Sequence, residues 1–146
     1  MSASLFADTN LFIYAFDDRD PQKRDAARAW RTHLWTKRSG RTSFQVLEEF
    51  YSKISQRWPG SRDEARAEIR DLMAWTPVVI DADVIESAWK IQDRYRFSFW
   101  DALIVAAAQS ASCRYLLTED LQSGQEIEGV VVVNPFIRGP AESAFA

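Results

Sequence analysis

Short apolar runs alternate with helical segments along the whole chain, and this alternation constrains the fold more than any other feature. "SLFAD" reads as a short buried strand that stops at Asp8. "PVVI", Pro77 to Ile80, is a second short strand. "YLLTED" is a strand running into a loop, and "VVVV", Val130 to Val133, is a last strand stopped by Asn134-Pro135. Strands that alternate with helices in this way give an α/β domain with a mostly parallel central sheet covered by helices.

The helices between them carry their own signals. "NLFIYAF" continues the first strand as an apolar helical turn or two. Asp20-Pro21 is a cap followed by Pro at the first helical position, and the helix runs to about Arg38. Ser43 caps a second helix, where Leu47, Phe50, Tyr51 and Ile54 repeat at helical spacing until Pro59-Gly60 ends it. Ser61 with Glu64, and Asp83 with Glu86, read as capping boxes for helices to about Trp75 and Tyr95. Ser98 caps the last helix, "SFWDALIVAAA".

At 146 residues the chain has the length of one domain with one core, expected to span 1–146 with its core at about 4–136. No apolar run reaches the ~18 residues of a membrane span. "MSASLFADTN" lacks the basic start and long apolar run of a signal peptide. A single cysteine, Cys113, rules out an intramolecular disulfide and fits a reducing compartment. A cytoplasmic location is the expectation. The net charge of −3 argues against a simple phosphate-backbone binder, yet eight of the 18 basic residues fall between Arg19 and Arg41. That segment is either a solvated helix face or a patch that steers nucleic acid.

The chemistry-bearing residues are acids. His33 is the only histidine, so it and Cys113 cannot build a usual zinc site. The five glycines are scattered and form no phosphate-binding loop. Ligand sites in parallel sheets form beyond the carboxyl ends of the strands. Asp8 ends the first strand, Glu119 and Asp120 follow "YLLT", and Asp101 lies in the first turn of its helix, where the dipole favours an anion. Carboxylates from distant parts of the chain can therefore meet at one sheet edge. Such a cluster repels itself unless a cation joins it, and all-oxygen ligands select Mg²⁺ or Mn²⁺, ions that serve phosphoryl chemistry.

Four segments, "ADTNLFIYAFD", "SFQVLEEFY", "SFWDALIVAAA" and "LLTEDLQSGQEIEGVVVVNPF", resemble in order and spacing the PIN-domain ribonucleases, especially the VapC-type toxins of bacterial toxin–antitoxin pairs. The resemblance covers Ala7 to Phe136. It implies a PIN-like three-layer fold and an acidic pocket holding one or two Mg²⁺ or Mn²⁺ ions. The family's first, third and fourth acids fall on Asp8, Asp101 and Asp120. Thr9 and Asn10 complete the first motif, and Thr118 and Glu119 are candidates for an outer layer around the site. Helical geometry does not decide between Glu48 and Glu49 for the second acid. The family's habit of placing its glutamate directly before an apolar-aromatic pair, here Phe50-Tyr51, favours Glu49. Glu119 reads equally as an outer-layer acid or a loop charge.

The implied activity is metal-dependent cleavage of RNA phosphodiester bonds, as the toxin of a pair. The implied partners are an RNA substrate, a small antitoxin laid over the acidic groove, and a second copy in a two-fold homodimer. The alternatives are an RNA-processing PIN nuclease without an antitoxin and a non-catalytic nucleic-acid-binding PIN module. A haloacid-dehalogenase-type phosphatase needs an acid where Asn10 stands. A receiver domain needs a late lysine, and the last here is Lys90.

Overall fold

A computed structural model describes residues 3–146. Met1 and Ser2, where the expected domain and the N-terminal stretch begin, lie outside the described residues. Five strands form one sheet: β1 (Leu5–Ala7), β2 (Gly40–Arg41), β3 (Tyr115–Leu117), β4 (Glu126–Ile127) and β5 (Val130–Val133), in the order β2-β1-β3-β5-β4. Every pairing is parallel except β4 with β5. The helices are α1 (Thr9–Tyr14), α2 (Pro21–Lys37), α3 (Phe44–Arg57), α4 (Arg62–Leu72), α5 (Ala82–Tyr95) and α6 (Phe99–Ser110). This is the expected α/β architecture.

β1, β3 and β5 are apolar because both faces of the sheet are covered there. Leu5, Phe6, Ala7, Leu116, Leu117, Val132 and Val133 are all buried. From Ala102 to Ala108 every residue of α6 is buried, and the helix packs against β3, β5 and α5. The caps at Asp20, Ser43 and Ser98 form as expected, each accepting a backbone N–H three residues on. The core runs past residue 136. Phe145 is buried, its ring 5.2 Å from Trp30 and 5.1 Å from Tyr115.

Three local expectations are corrected. Pro77 to Ile80 is not a strand. Val78 makes one parallel bridge, to Ser43, and the pairing stops there because Ser43 already caps α3. Ser61 caps nothing through its side chain, because it closes a 3-10 turn (Pro59–Ser61) that runs straight into α4. The cap of α5 is Asp81, whose carboxylate accepts from Val84 N at 3.0 Å, so Asp83 lies in the first turn instead. Two further strands, β2 and β4, are only two residues long and carry no sequence pattern of their own. β2 holds its place through Gly40, where a Cβ would come within 2.6 Å of the Trp75 ring. β4 turns into β5 through Glu128 and Gly129, both with positive φ (50° and 87°), a two-residue hairpin turn.

Among the described residues, no helix is long and apolar enough to cross a membrane. Half of the eight basic residues between Arg19 and Arg41 are paired with carboxylates within the fold. Arg19 pairs with Asp17, Lys23 with Glu119, Arg24 with Asp18 and Asp25, and Arg31 with Glu68.

Candidate active site

β1 and β3 are neighbours in the sheet, so their carboxyl ends deliver Asp8 and Thr118 to one point. The Thr118 hydroxyl donates to Asp8 Oδ2 at 2.9 Å and accepts from Asp120 N at 3.1 Å. Asp8 also caps α1, accepting from Thr9 N at 2.7 Å. α3, on the other flank, carries Glu49, whose Oε2 accepts from the Thr9 hydroxyl at 2.9 Å and whose Oε1 accepts from Gln45 Nε2 at 3.3 Å. Asn10 Nδ2 stands 3.4 Å from each oxygen of Asp120. Asp101 comes from the first turn of α6, its backbone N–H fixed by the Ser98 hydroxyl at 3.1 Å.

Asp8, Glu49, Asp101 and Asp120 line one cleft of about 200 Å³ together with Thr9, Asn10, Gln45, Lys53, Trp100 and Ile104. Glu48 faces elsewhere, into an apolar groove with Phe44, Tyr51 and Met73. Glu119 does not line this cleft. Its Oε2 accepts from Lys23 Nζ at 2.8 Å, and the ammonium also lies 4.6 Å above the Tyr14 ring. Gln45, Lys53, Trp100 and Ile104 were not foreseen. Gln45 and Lys53 flank Glu49 at four-residue spacing on α3, a helical stripe that marks them once Glu49 is chosen.

The electrostatics are those of a crowded anionic site. Burial pushes the Asp8 carboxyl up to about 6; the bonds from Thr9 and Thr118 oppose the rise, while the charges of Asp120 and Glu49 add to it. Asp120 is raised as well, first by desolvation, then by the charges of Asp101, Glu119 and Glu49, against which Lys53 acts. Among the described residues, no three His, Cys, Asp or Glu side chains are grouped so as to grip one ion in this arrangement. The donor chemistry still fits a hard cation, since the cleft offers carboxylate, hydroxyl and amide oxygens and no nitrogen or sulfur ligand. Cys113 is no candidate. It is buried apart from the cleft, and burial pushes its thiol up to about 12.

Residues 5–123 match the PIN domain family model. The chain belongs to the PIN-domain family. Solved structures share its fold. A toxin–antitoxin complex from Klebsiella pneumoniae matches at TM-score 0.65 and 24% identity, covering 91% of this chain and 98% of that one. Mycobacterium tuberculosis VapC20, described as a sarcin–ricin-loop-cleaving toxin, matches at TM-score 0.60 and 22% identity, over 80% and 90% of the two chains. DNA-bound VapBC from Salmonella typhimurium matches at TM-score 0.63 and 16% identity, over 89% and 96%. At these identities the likeness is one of fold. A search of curated proteins gives no match in sequence. In this PIN domain, then, the four acids of the motif set lie at the carboxyl end of the sheet and face one cleft.

Proposed function

We propose that the chain is a divalent-metal-dependent endoribonuclease and the toxin of a toxin–antitoxin pair. The observation that carries this reading is the convergence of Asp8, Glu49, Asp101 and Asp120, from four separate parts of the fold, on one cleft. Asp8, Asp101, Glu49 and Asp120 would hold Mg²⁺ or Mn²⁺, which when bound supplies an activated water and stabilises charge developing on the phosphate. The residues around the acids have a positioning role. Thr118 and the Thr9 N–H orient Asp8, the Thr9 hydroxyl and Gln45 orient Glu49, and Asn10 steadies Asp120. Fixed carboxylates hold an ion without the entropy cost of ordering free side chains, which is what outer-layer partners contribute.

The partners follow from the same reading. A structural neighbour described as a toxin–antitoxin complex supports a small antitoxin that covers the cleft, and another neighbour's description as a sarcin–ricin-loop-cleaving toxin supports RNA as substrate. A cytoplasmic homodimer completes the proposal, and light scattering at micromolar concentration tests the dimer. The function itself is tested by incubating the protein with total RNA in Mn²⁺ and in EDTA, then mapping cut ends. Discrete cuts that need Mn²⁺ are expected. Intact RNA in Mn²⁺, or equal cutting in EDTA, would overturn the reading.

A further inference from the structure

We infer that Trp100 and Lys53 form the substrate clamp of the cleft, with Trp100 stacking an unpaired base and Lys53 holding a backbone phosphate. The inference rests on the nuclease reading and specifies which nucleic acid that site takes. Among the described residues lining the cleft, Lys53 is the one cation, set against four carboxylates. It has no carboxylate within ion-pair distance among the described residues, whereas four of the basic residues between Arg19 and Arg41 are paired. A polyanion entering this cleft therefore meets a single site of attraction from the protein itself, on α3, one helical turn beyond Glu49.

Trp100, on α6 directly before Asp101, lines the same cleft. The residue is 63% exposed, although every residue from Ala102 to Ala108 behind it is buried. Several other large apolar side chains are exposed, among them Trp35, Trp89 and Ile137, but Trp100 is the one that lines the carboxylate cleft. Phe99 packs against the core and meets Trp100 edge-on at 5.4 Å and 66°. An exposed aromatic face beside an acidic site is a stacking platform, and stacking serves any base whose face is free. Bases in a duplex have no free face, so the clamp selects single-stranded segments, loops and bulges. The base on Trp100 and the phosphate on Lys53 then place the intervening backbone over the acids.

The test combines binding and cleavage. Binding of a 12-nucleotide uridine oligomer and of a blunt duplex is followed in Ca²⁺, by intrinsic tryptophan fluorescence and by anisotropy of a labelled strand. Cleavage of the same single strand is followed in Mn²⁺. The wild type should show quenching by the single strand and little by the duplex. Trp100→Phe should bind within about twofold of wild type but lose the quench, since phenyl still stacks. Trp100→Ala should raise KM by about fivefold or more with kcat nearly unchanged, the pattern of lost ground-state binding. Lys53→Gln should weaken binding and reduce the slope of log affinity against log salt by about 0.7, one phosphate contact on a single strand. Equal affinity and KM in Trp100→Ala, or no quench in the wild type, would overturn the clamp. If the wild type cuts and Trp100→Ala cuts with the same KM, the clamp fails and the nuclease reading stands. If the oligomer binds and quenches but is never cut, the nuclease reading fails and the clamp stands.

Discussion

Thr9 donates its hydroxyl to Glu49 at 2.9 Å, joining the first residue of α1 to the second turn of α3 across 40 residues of sequence. The bond distinguishes two adjacent glutamates that helical geometry alone left equal. Glu49 is drawn to Asp8's side of α3, and Glu48 is left in an apolar groove on the other. Glu49→Gln should therefore lower RNA cleavage by at least about a hundredfold, because outer-layer partners of a metal alone cost 10–100-fold. Glu48→Gln should cut at the wild-type rate. Initial rates in Mn²⁺ compare the two, and a larger loss in Glu48→Gln would reverse the assignment.

Asp8 gives the protein a pH signature. Its folded-state pKa, about 6, lies above the ordinary 3.8, so the folded protein binds this proton more tightly than the unfolded chain does. The associated stability is fully present below about pH 4 and is lost as pH rises through about 6, on the order of 3 kcal/mol across that window. In EDTA, melts of the wild type should fall over this range relative to Asp8→Asn, which keeps a capping side chain but does not titrate. Mn²⁺ should oppose the fall, since metal and proton compete for the carboxylate. Parallel pH profiles of the two proteins in EDTA would contradict this.

Thr118 tunes that titration. Its hydroxyl holds Asp8 below the value burial alone would impose. Thr118→Val preserves shape and removes the donor. The acid limb of the pH–rate profile, where protons compete with the metal for Asp8, should move upward. Stability should drop by about 1–3 kcal/mol, the cost of unpairing buried polar atoms. An unmoved limb would show that Asp8 does not govern the profile.

Glu119 belongs to a different interaction. With its carboxylate on Lys23, Glu119→Gln should change cleavage by no more than about threefold and stability by about 1 kcal/mol or less, as for a partly exposed ion pair. A loss matching that of Glu49→Gln would mean that the Lys23 pair breaks when RNA or metal binds.

Much of this was legible in the sequence, for physical reasons that also mark the limits. Asp8, Asp101 and Asp120 could be placed because strand ends and helix starts are local features with strong residue signals. Ser98 and Ser43 cap where they were expected to cap, because nothing else competes for the N–H groups they bind. Ser61 failed because the preceding Pro59-Gly60 forms its own 3-10 turn, which no helix-capping pattern reveals. β2 and β4 are two residues each, too short for any periodicity, and exist because neighbours supply the register. Pro77 to Ile80 looked like a strand from composition, but a strand needs a partner and Ser43 had already turned into α3. Lys53 lies outside the four family-like segments, and Trp100, though inside "SFWDALIVAAA", has no role assigned by the resemblance. Only the folded cleft gathers residues of α3 and α6 into one lining and shows these two as its cation and its exposed ring.

The central claim is that the four carboxylates are arranged for a divalent ion rather than for stability, and Asp101 tests it most directly. Asp101→Asn removes one of four mutually repelling charges while sacrificing a helix-dipole term of about 0.3–1 kcal/mol. Thermal melts of wild type and Asp101→Asn, each in EDTA and in Mn²⁺, measure both sides of that balance. In EDTA the variant should be as stable as the wild type or more so. In Mn²⁺ at a hundredfold excess over its dissociation constant, the wild type should gain about 2.7 kcal/mol and the variant clearly less. A wild type that gains nothing from Mn²⁺, or a variant that is destabilised in EDTA and gains as much as the wild type, would contradict the account.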